Sequence, residues 1–303
     1  MEAKKTENLQ FAFFGTSEFS VIVLDELKAR GYTPKLVVTV EDKPKGRKLV
    51  VTAPEVKIWA EKEGIKYIQL NTLRKPESEE MIRSFLPPAS AGGAQAGAPS
   101  GFDYFVVASY GKIIPQNILD IPKLGTLNVH PSLLPKLRGP SPIESAILFE
   151  NETGMTIMRL DADMDHGPII AQKKVGMEWP PYAEELERKL AHIGGEMVAE
   201  LLPDWVDGKI KETEQDHSLA TICKKIEKND GELNLEDLPE KNLRKIRAYH
   251  IWPGAYFFEN KGNKKTRIIV KKAHMEDNKL VLDRVVPEGK KEMDYKDYLR
   301  GKK

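Results

Sequence analysis

From Leu9 onward the chain alternates short apolar runs with amphipathic stretches, and this alternation constrains the fold more than any other feature. LQFAFFG, EFSVIVLDELKARG, PKLVVTV, APEVKIWAEKEG and KYIQL follow one another as strand, helix, strand, helix, strand, the order that builds a parallel sheet with helices on its faces. A second series follows. TLRKPESEEMIRSFL is a helix, DYFVVASYG a continuously apolar and therefore buried strand, and GTLNVHPS a strand that runs into a proline. SPIESAILFEN is then a helix, TGMTIMRL and GPIIAQKKV are strands, and YAEELERKLAHIGGEMVAELLPDW is a long helix. Its Leu186, Leu190, Ile193, Met197 and Leu201 share one face. The predicted class is α/β, with a mostly parallel, Rossmann-like sheet domain over residues 1–205.

A chain of 303 residues has room for a second domain. The polar stretch VDGKIKETEQDHS, residues 206–218, is expected to be a linker. Residues 219–303 are expected to form a smaller, partly β domain, with helical pieces at LATICKKIEKND and LPEKNLRKIRAY followed by the strands TRIIVKKAH and KLVLDRVV. PPASAGGAQAGAPS, residues 87–100, offers no charge and no bulky apolar group to bury and is expected to be a mobile surface insertion.

The net charge of +1 hides a division. Residues 241–303 carry 18 Lys+Arg against 8 Asp+Glu, while the rest carries 29 against 38. A second positive knot, Lys43, Lys45, Arg47 and Lys48, falls in the Gly/Pro-containing segment DKPKGRK, where a turn holds it in solvent. Such a run is either a solvated face or a contact for phosphates. No apolar run is long enough to cross a bilayer, and MEAKKTENLQ has no apolar signal core. The single cysteine, Cys223, excludes an intrachain disulfide and a thiolate-cluster zinc site. The expected setting is a reducing cytoplasm without membrane contact.

GTLNVHPSLLPKLRGPSP carries the most chemistry. Alternation along a strand points Asn128 and His130 the same way, and Pro131 stops the ladder directly after them. They therefore sit where the carboxyl end of a sheet opens to ligands. The competing reading makes them satisfied structural residues. SLLP must connect strand to helix over the surface, which suits a loop gripping an apolar ligand. Ser141, Pro142 and Glu144 fit a helix start with a capping box. LDADMDHGPII places Asp161, Asp163, Asp165 and His166 in one loop. Counted from Asp161, His166 stands where an EF-hand needs Gly and Gln172 where it needs Glu, so no metal is expected. The loop is then a polar turn, or it supplies one aspartate that orients and charges His130. FGTSEF has one Gly where a dinucleotide site needs G-x-G-x-x-G, and P-loop, HExxH and GxSxG motifs are missing.

Together, FGTSEF, DKPKGRK, FVVASYGKIIP, LNVHPSLLPKLRGPSPI, TGMTIMRLDADMDHGPIIAQ and IWPGAYF resemble, in this order, the methionyl-tRNA formyltransferase family, from about Phe11 to the end. The resemblance implies transfer of a formyl group from 10-formyltetrahydrofolate, as co-substrate, to the α-amino group of initiator methionyl-tRNA, in translation initiation. It implies Asn128, His130 and Asp165 as the catalytic trio and Ser132, Leu133, Leu134 and Pro135 as the folate-binding loop. Val107, Tyr110 and Gly111 would line the pterin pocket, and Lys43, Lys45, Arg47 and Lys48 would hold tRNA together with the basic domain at 219–303. That domain would be a barrel of oligonucleotide-binding (OB) type, here shortened because only MEDNKLVLDR separates VKKAH from VVPEGKKEM. A monomer is expected. Two other functions fit parts of the chain: a sugar-nucleotide N-formyltransferase using the same donor, against which the basic 43–48 loop argues, and a non-catalytic tRNA-binding protein, against which the intact trio argues.

Overall fold

Phe11–Gly15 (β1) is buried at every position, as its unbroken apolar text requires of a strand covered on both faces. β1 opens a computed structural model that describes residues 9–45, 49–85, 101–176, 178–261 and 264–301. The chain continues through α1 (Glu18–Ala29), β2 (Leu36–Thr39), β3 (Lys43–Lys45), β4 (Val50–Thr52), α2 (Glu55–Glu63), β5 (Tyr67–Gln69) and α3 (Pro76–Ser84). The 87–100 insertion lies outside the described residues. Then come β6 (Tyr104–Ala108), α4 (Gln116–Leu119), β7 (Thr126–His130), α5 (Pro142–Phe149), β8 (Thr153–Arg159), β9 (Ile169–Val175) and α6 (Ala183–Val206).

Seven of these strands form one sheet in the order β5-β2-β1-β6-β7-β8-β9. The first five run parallel, and β8 runs antiparallel to β7. The chain steps outward from β1 to β2 and β5, then returns to the other side of β1 as β6. The order therefore reverses between β1 and β6, and a crevice at their carboxyl ends is where such sheets take ligands. Alternate side chains serve opposite faces. Phe14, Val38, Phe105 and Val107 join a core with Ile82 and Ile118, while Phe11 stacks on Tyr104 at 4.9 Å and Trp205 of α6 meets Tyr104 edge-on at 6.1 Å. Two adjacent glycines in α6 explain its closeness to the sheet. A Cβ on Gly194 would lie 2.5 Å from Val129 of β7, and one on Gly195 2.5 Å from Glu26 of α1.

The described residues divide into two units. One is drawn from Met1–Arg138, Gly154–Lys174 and Arg188–Thr221, the other from Gly139–Thr153, Val175–Glu187 and Ile222–Lys303. The second thus recruits α5, which chain order alone would give to the first. Within it follow α7 (Pro239–Ala248), β10 (Tyr256–Lys261), β11 (Lys264–Glu276), β12 (Lys279–Pro287), β13 (Met293–Asp294) and α8 (Tyr295–Arg300). Its strands form an antiparallel sheet in that order, with Leu243, Ile246, Phe257, Ile268 and Val285 in its core. Among the described residues this sheet is open, with β10 and β13 as its edges.

Two local expectations are corrected. LATICKKIEKND is not helical: apart from single turns at His217–Leu219 and Lys228–Gly231 it is extended or irregular. Ser141 does stand at the N-cap of α5 with Pro142 behind it, but its side chain makes no capping bond. Its hydroxyl donates to the Lys224 carbonyl and its N–H to Cys223 Sγ at 3.4 Å, so a tertiary contact has replaced the capping box. Among the described residues no helix is long and apolar enough to cross a membrane.

Candidate active site

β7 carries Asn128 and His130 to the carboxyl edge of the sheet, two strands from β1, and both are buried. Their register partners, Val107 and Met158 for Asn128 and Thr156 for His130, fix them laterally. Asp165 arrives from the loop joining β8 to β9. Its Oδ1 lies 3.6 Å from His130 Nδ1 and accepts from Asn128 Nδ2 at 3.4 Å. His130 Nε2 donates to the Leu137 carbonyl at 3.0 Å, and only the protonated nitrogen can do so. Nδ1 is therefore the nitrogen left to exchange a proton, and it faces the carboxylate. Within the aspartate loop Asp165 thus faces Asn128 and His130, whereas Asp161 bonds His166 Nδ1 at 2.7 Å.

Left-handed backbone clusters here. Ser109 (φ 50°), Leu137 (φ 59°) and Asp165 (φ 49°) all stand in a region that costs non-glycine residues energy, least for Asp. Strain of this kind persists where the surroundings over-determine it, typically at ligand sites. In the same loop Gly167 has no alternative: any Cβ would run into the Arg159 carbonyl oxygen.

The SLLP loop is held from below. Thr156 Oγ1 donates to the Ser132 carbonyl at 2.6 Å and accepts from Leu134 N–H at 3.2 Å and Gln172 Nε2 at 2.9 Å. Gln172 also donates to the Leu134 carbonyl at 2.9 Å. Ser132 Oγ closes the turn onto the Lys136 carbonyl at 2.7 Å. The loop is less of a surface feature than its position between strand and helix suggests, because Ser132 and Leu134 are buried and Leu133 packs over Gly154, leaving Leu133 and Pro135 half-buried. Thr156 and Gln172 had no signal in the sequence beyond lying on strands, since their role depends on the loop folding over them.

Val107 and Tyr110 are buried, the first within β6 and the second just after it, and Tyr110 stands edge-on to Phe14 at 5.5 Å. Burial raises the Tyr110 phenol well above its ordinary range. Its hydroxyl and that of Thr16, just after β1, are buried without a hydrogen-bond partner among the described residues. An unmet buried hydroxyl costs about 1–3 kcal/mol, so two of them in the segments directly after β1 and β6 fit a ligand with polar edges. Gly111 has open space where a side chain would be. Ser17 Oγ, which leaves the start of α1 uncapped, donates instead to Ser109 Oγ at 2.8 Å across the same switch point.

Lys43 and Lys45 lie on β3, which pairs antiparallel with β4 to form a hairpin. Arg47 and Lys48 lie outside the described residues. Leu49, Val50 and Val51 on the returning arm are exposed, an apolar strip that the charge pattern alone does not announce. Asp42 anchors the hairpin base through Lys57 Nζ at 2.8 Å and Gln69 Nε2 at 2.6 Å. The pairing holds the Asp42 carboxyl below its ordinary range, the Lys57 bond being the largest cause. Among the described residues no group of three or more His, Cys, Asp or Glu could hold a metal ion.

A family model described as formyl transferase matches residues 8–202, and one described as formyl transferase, C-terminal domain, matches residues 225–280. The methionyl-tRNA formyltransferase of Chloroflexus aggregans is 42% identical over 254 residues, covering 82% of this chain and 76% of that one. Among solved structures, the methionyl-tRNA formyltransferase from Clostridium thermocellum superposes with a TM-score of 0.57 at 16% identity, over 92% of this chain and 98% of that one. A sugar N-formyltransferase from Shewanella does so with 0.60 at 16% identity, over 85% and 95%. The fold is common to both kinds of enzyme, so sequence identity makes the distinction: the chain belongs to the methionyl-tRNA formyltransferase family.

Proposed function

We propose that the protein transfers the formyl group of 10-formyltetrahydrofolate to the α-amino group of initiator methionyl-tRNA. The observation that carries this reading is the Asp165 carboxylate, within reach of both Asn128 and His130 at the end of β7. The amine nitrogen attacks the formyl carbon, the bond from that carbon to N10 of the folate breaks, and the amine loses a proton while N10 gains one. Charge developing on the formyl oxygen needs a donor aimed at it. The Asn128 carboxamide has a second N–H beyond the one directed at Asp165. Asp165 and His130 Nδ1 form the proton path, and the Leu137 carbonyl fixes which imidazole nitrogen takes part.

The folate would be held along Ser132, Leu133, Leu134 and Pro135, with Val107, Tyr110 and Gly111 lining the pterin. Leu133 and Pro135 offer half-buried apolar surface, and the unmet Tyr110 hydroxyl offers a polar contact. In this scheme residues 1–205 perform the transfer, and residues 219–303 hold tRNA with Lys43, Lys45, Arg47 and Lys48. Support for the second part comes from one face of β10 and β11. Arg267 lies 3.6 Å over the buried Tyr256 ring and Lys265 3.9 Å over that of Phe258, so aromatic rings hold two cations on that face, as phosphate contacts require.

The test offers the protein 10-formyltetrahydrofolate with charged initiator tRNA, charged elongator tRNA or a UDP-amino sugar. Formylation of the initiator tRNA is expected. Formylation of the sugar alone replaces this reading with the sugar-nucleotide one, and no transfer to any acceptor leaves a binding protein.

A further inference from the structure

Arg138 and Gln215 are buried polar side chains that the transfer chemistry does not use, and they bond to each other. Gln215 Oε1 accepts from Arg138 Nε at 3.1 Å and Nη2 at 2.6 Å. Gln215 Nε2 donates to the carbonyls of Asp165 at 2.9 Å and Gly167 at 2.7 Å. Arg138 directly follows Leu137, whose carbonyl holds His130, and its own N–H donates to the Thr221 carbonyl at 2.9 Å. The two side chains therefore join the backbone that fixes His130 to the backbone that fixes Asp165. Thr213 adds a second tie by exchanging both backbone bonds with Ile169, just past the aspartate loop, at 2.8 Å each. The segment 206–218, expected to be a linker, thus lies along the loop that carries Asp165.

We infer that Gln215, braced by Arg138, is a positioning residue that sets the separation between His130 and Asp165. A neutral carboxamide is the side chain the place requires, because it must accept from a guanidinium at one end and donate to two carbonyls at the other. Asp165 holds a left-handed conformation that costs energy, and two bonds to its loop carbonyls supply a restraint against relaxation. The inference rests on the reading above, in which Asp165 takes part in the transfer.

The test is a double-mutant cycle read by steady-state kinetics. Gln215→Glu keeps the acceptor for Arg138 and loses both donors to the loop. It should lower kcat about 10- to 100-fold, the scale of an ångström of misplacement, with KM for both substrates within about threefold. In an Asp165→Ala background the same change should cost nothing further, because the group it positions is gone. Arg138→Lys, which keeps the cation but not the fork, should repeat the pattern and serves if Gln215→Glu does not fold. An equal loss in both backgrounds, or unchanged kcat in Gln215→Glu, overturns the inference. Full activity in Asp165→Ala alone instead overturns the transfer mechanism, so the two failures are distinct.

Discussion

Asp165 meets Asn128 and His130 because its own backbone bends the wrong way for most residues, and Gly167, two positions on, permits the turn. His130→Ala, Asn128→Ala and Asp165→Ala should each lower kcat by about 100-fold or more, the scale of losing an oxyanion donor or a proton-transfer group. Circular dichroism on the soluble variants should be unchanged. A His130→Ala variant with near-normal turnover would refute the mechanism. Gly167→Ala acts differently, through the clash of its Cβ with the Arg159 carbonyl. Both kcat and the melting temperature should fall, and a thermal melt beside the activity assay separates it from the three side-chain removals. Asn128 and His130 were legible as a pair because a strand alternates. Spacing alone left Asp165 as one of three aspartates, and it was the resemblance that singled it out, since choosing among them on physical grounds needs the loop's path in space.

At the scale of elements, β7 is fixed from beneath by α6, whose adjacent Gly194 and Gly195 each cost roughly 1 kcal/mol in helix propensity relative to Ala. The close approach to Val129 and α1 offsets that cost. Gly194→Leu should therefore lower the melting temperature and activity together, whereas a substitution judged by propensity alone would stabilise. α5 shows the opposite relation between local signal and tertiary use. Glu144, placed by its spacing in a capping box, has instead a carboxyl raised above its ordinary range by burial. A carboxyl raised on folding leaves stability untouched below its unfolded value and costs stability as pH rises through the shifted one. Glu144→Gln should then raise the melting temperature at pH 7.5 and leave it unchanged below about pH 4. Equal gains at both pH values would refute burial of the charge as the cause.

For the whole molecule the relevant quantity is the distribution of charge, 18 positive against 8 negative residues over 241–303 and a basic hairpin near the other end of the chain. If these charges meet tRNA phosphates, binding weakens linearly in log salt, by roughly 0.7 units of slope per contact on single strands and about 0.9 per contact on a B-form duplex. Arg47→Ala combined with Lys48→Ala should flatten that slope and raise KM for charged tRNA while KM for the formyl donor stays constant. An unchanged slope would mean that the charges of residues 43–48 are merely solvated. The sequence by itself determined the parallel sheet, the order of its units and the end of β7 as the place for chemistry, because period-2 and period-3.6 patterns and a terminating proline act over neighbouring residues. Only the tertiary structure decided that Gln172 and Thr156 carry the SLLP loop, that Ser141 bonds to Cys223 and Lys224 rather than to its own helix, and that residues 206–218 brace the aspartate loop. Each of these contacts joins residues far apart in the chain, and a polar side chain shows in its sequence neighbours only that it needs a partner, never which one the fold will bring to it.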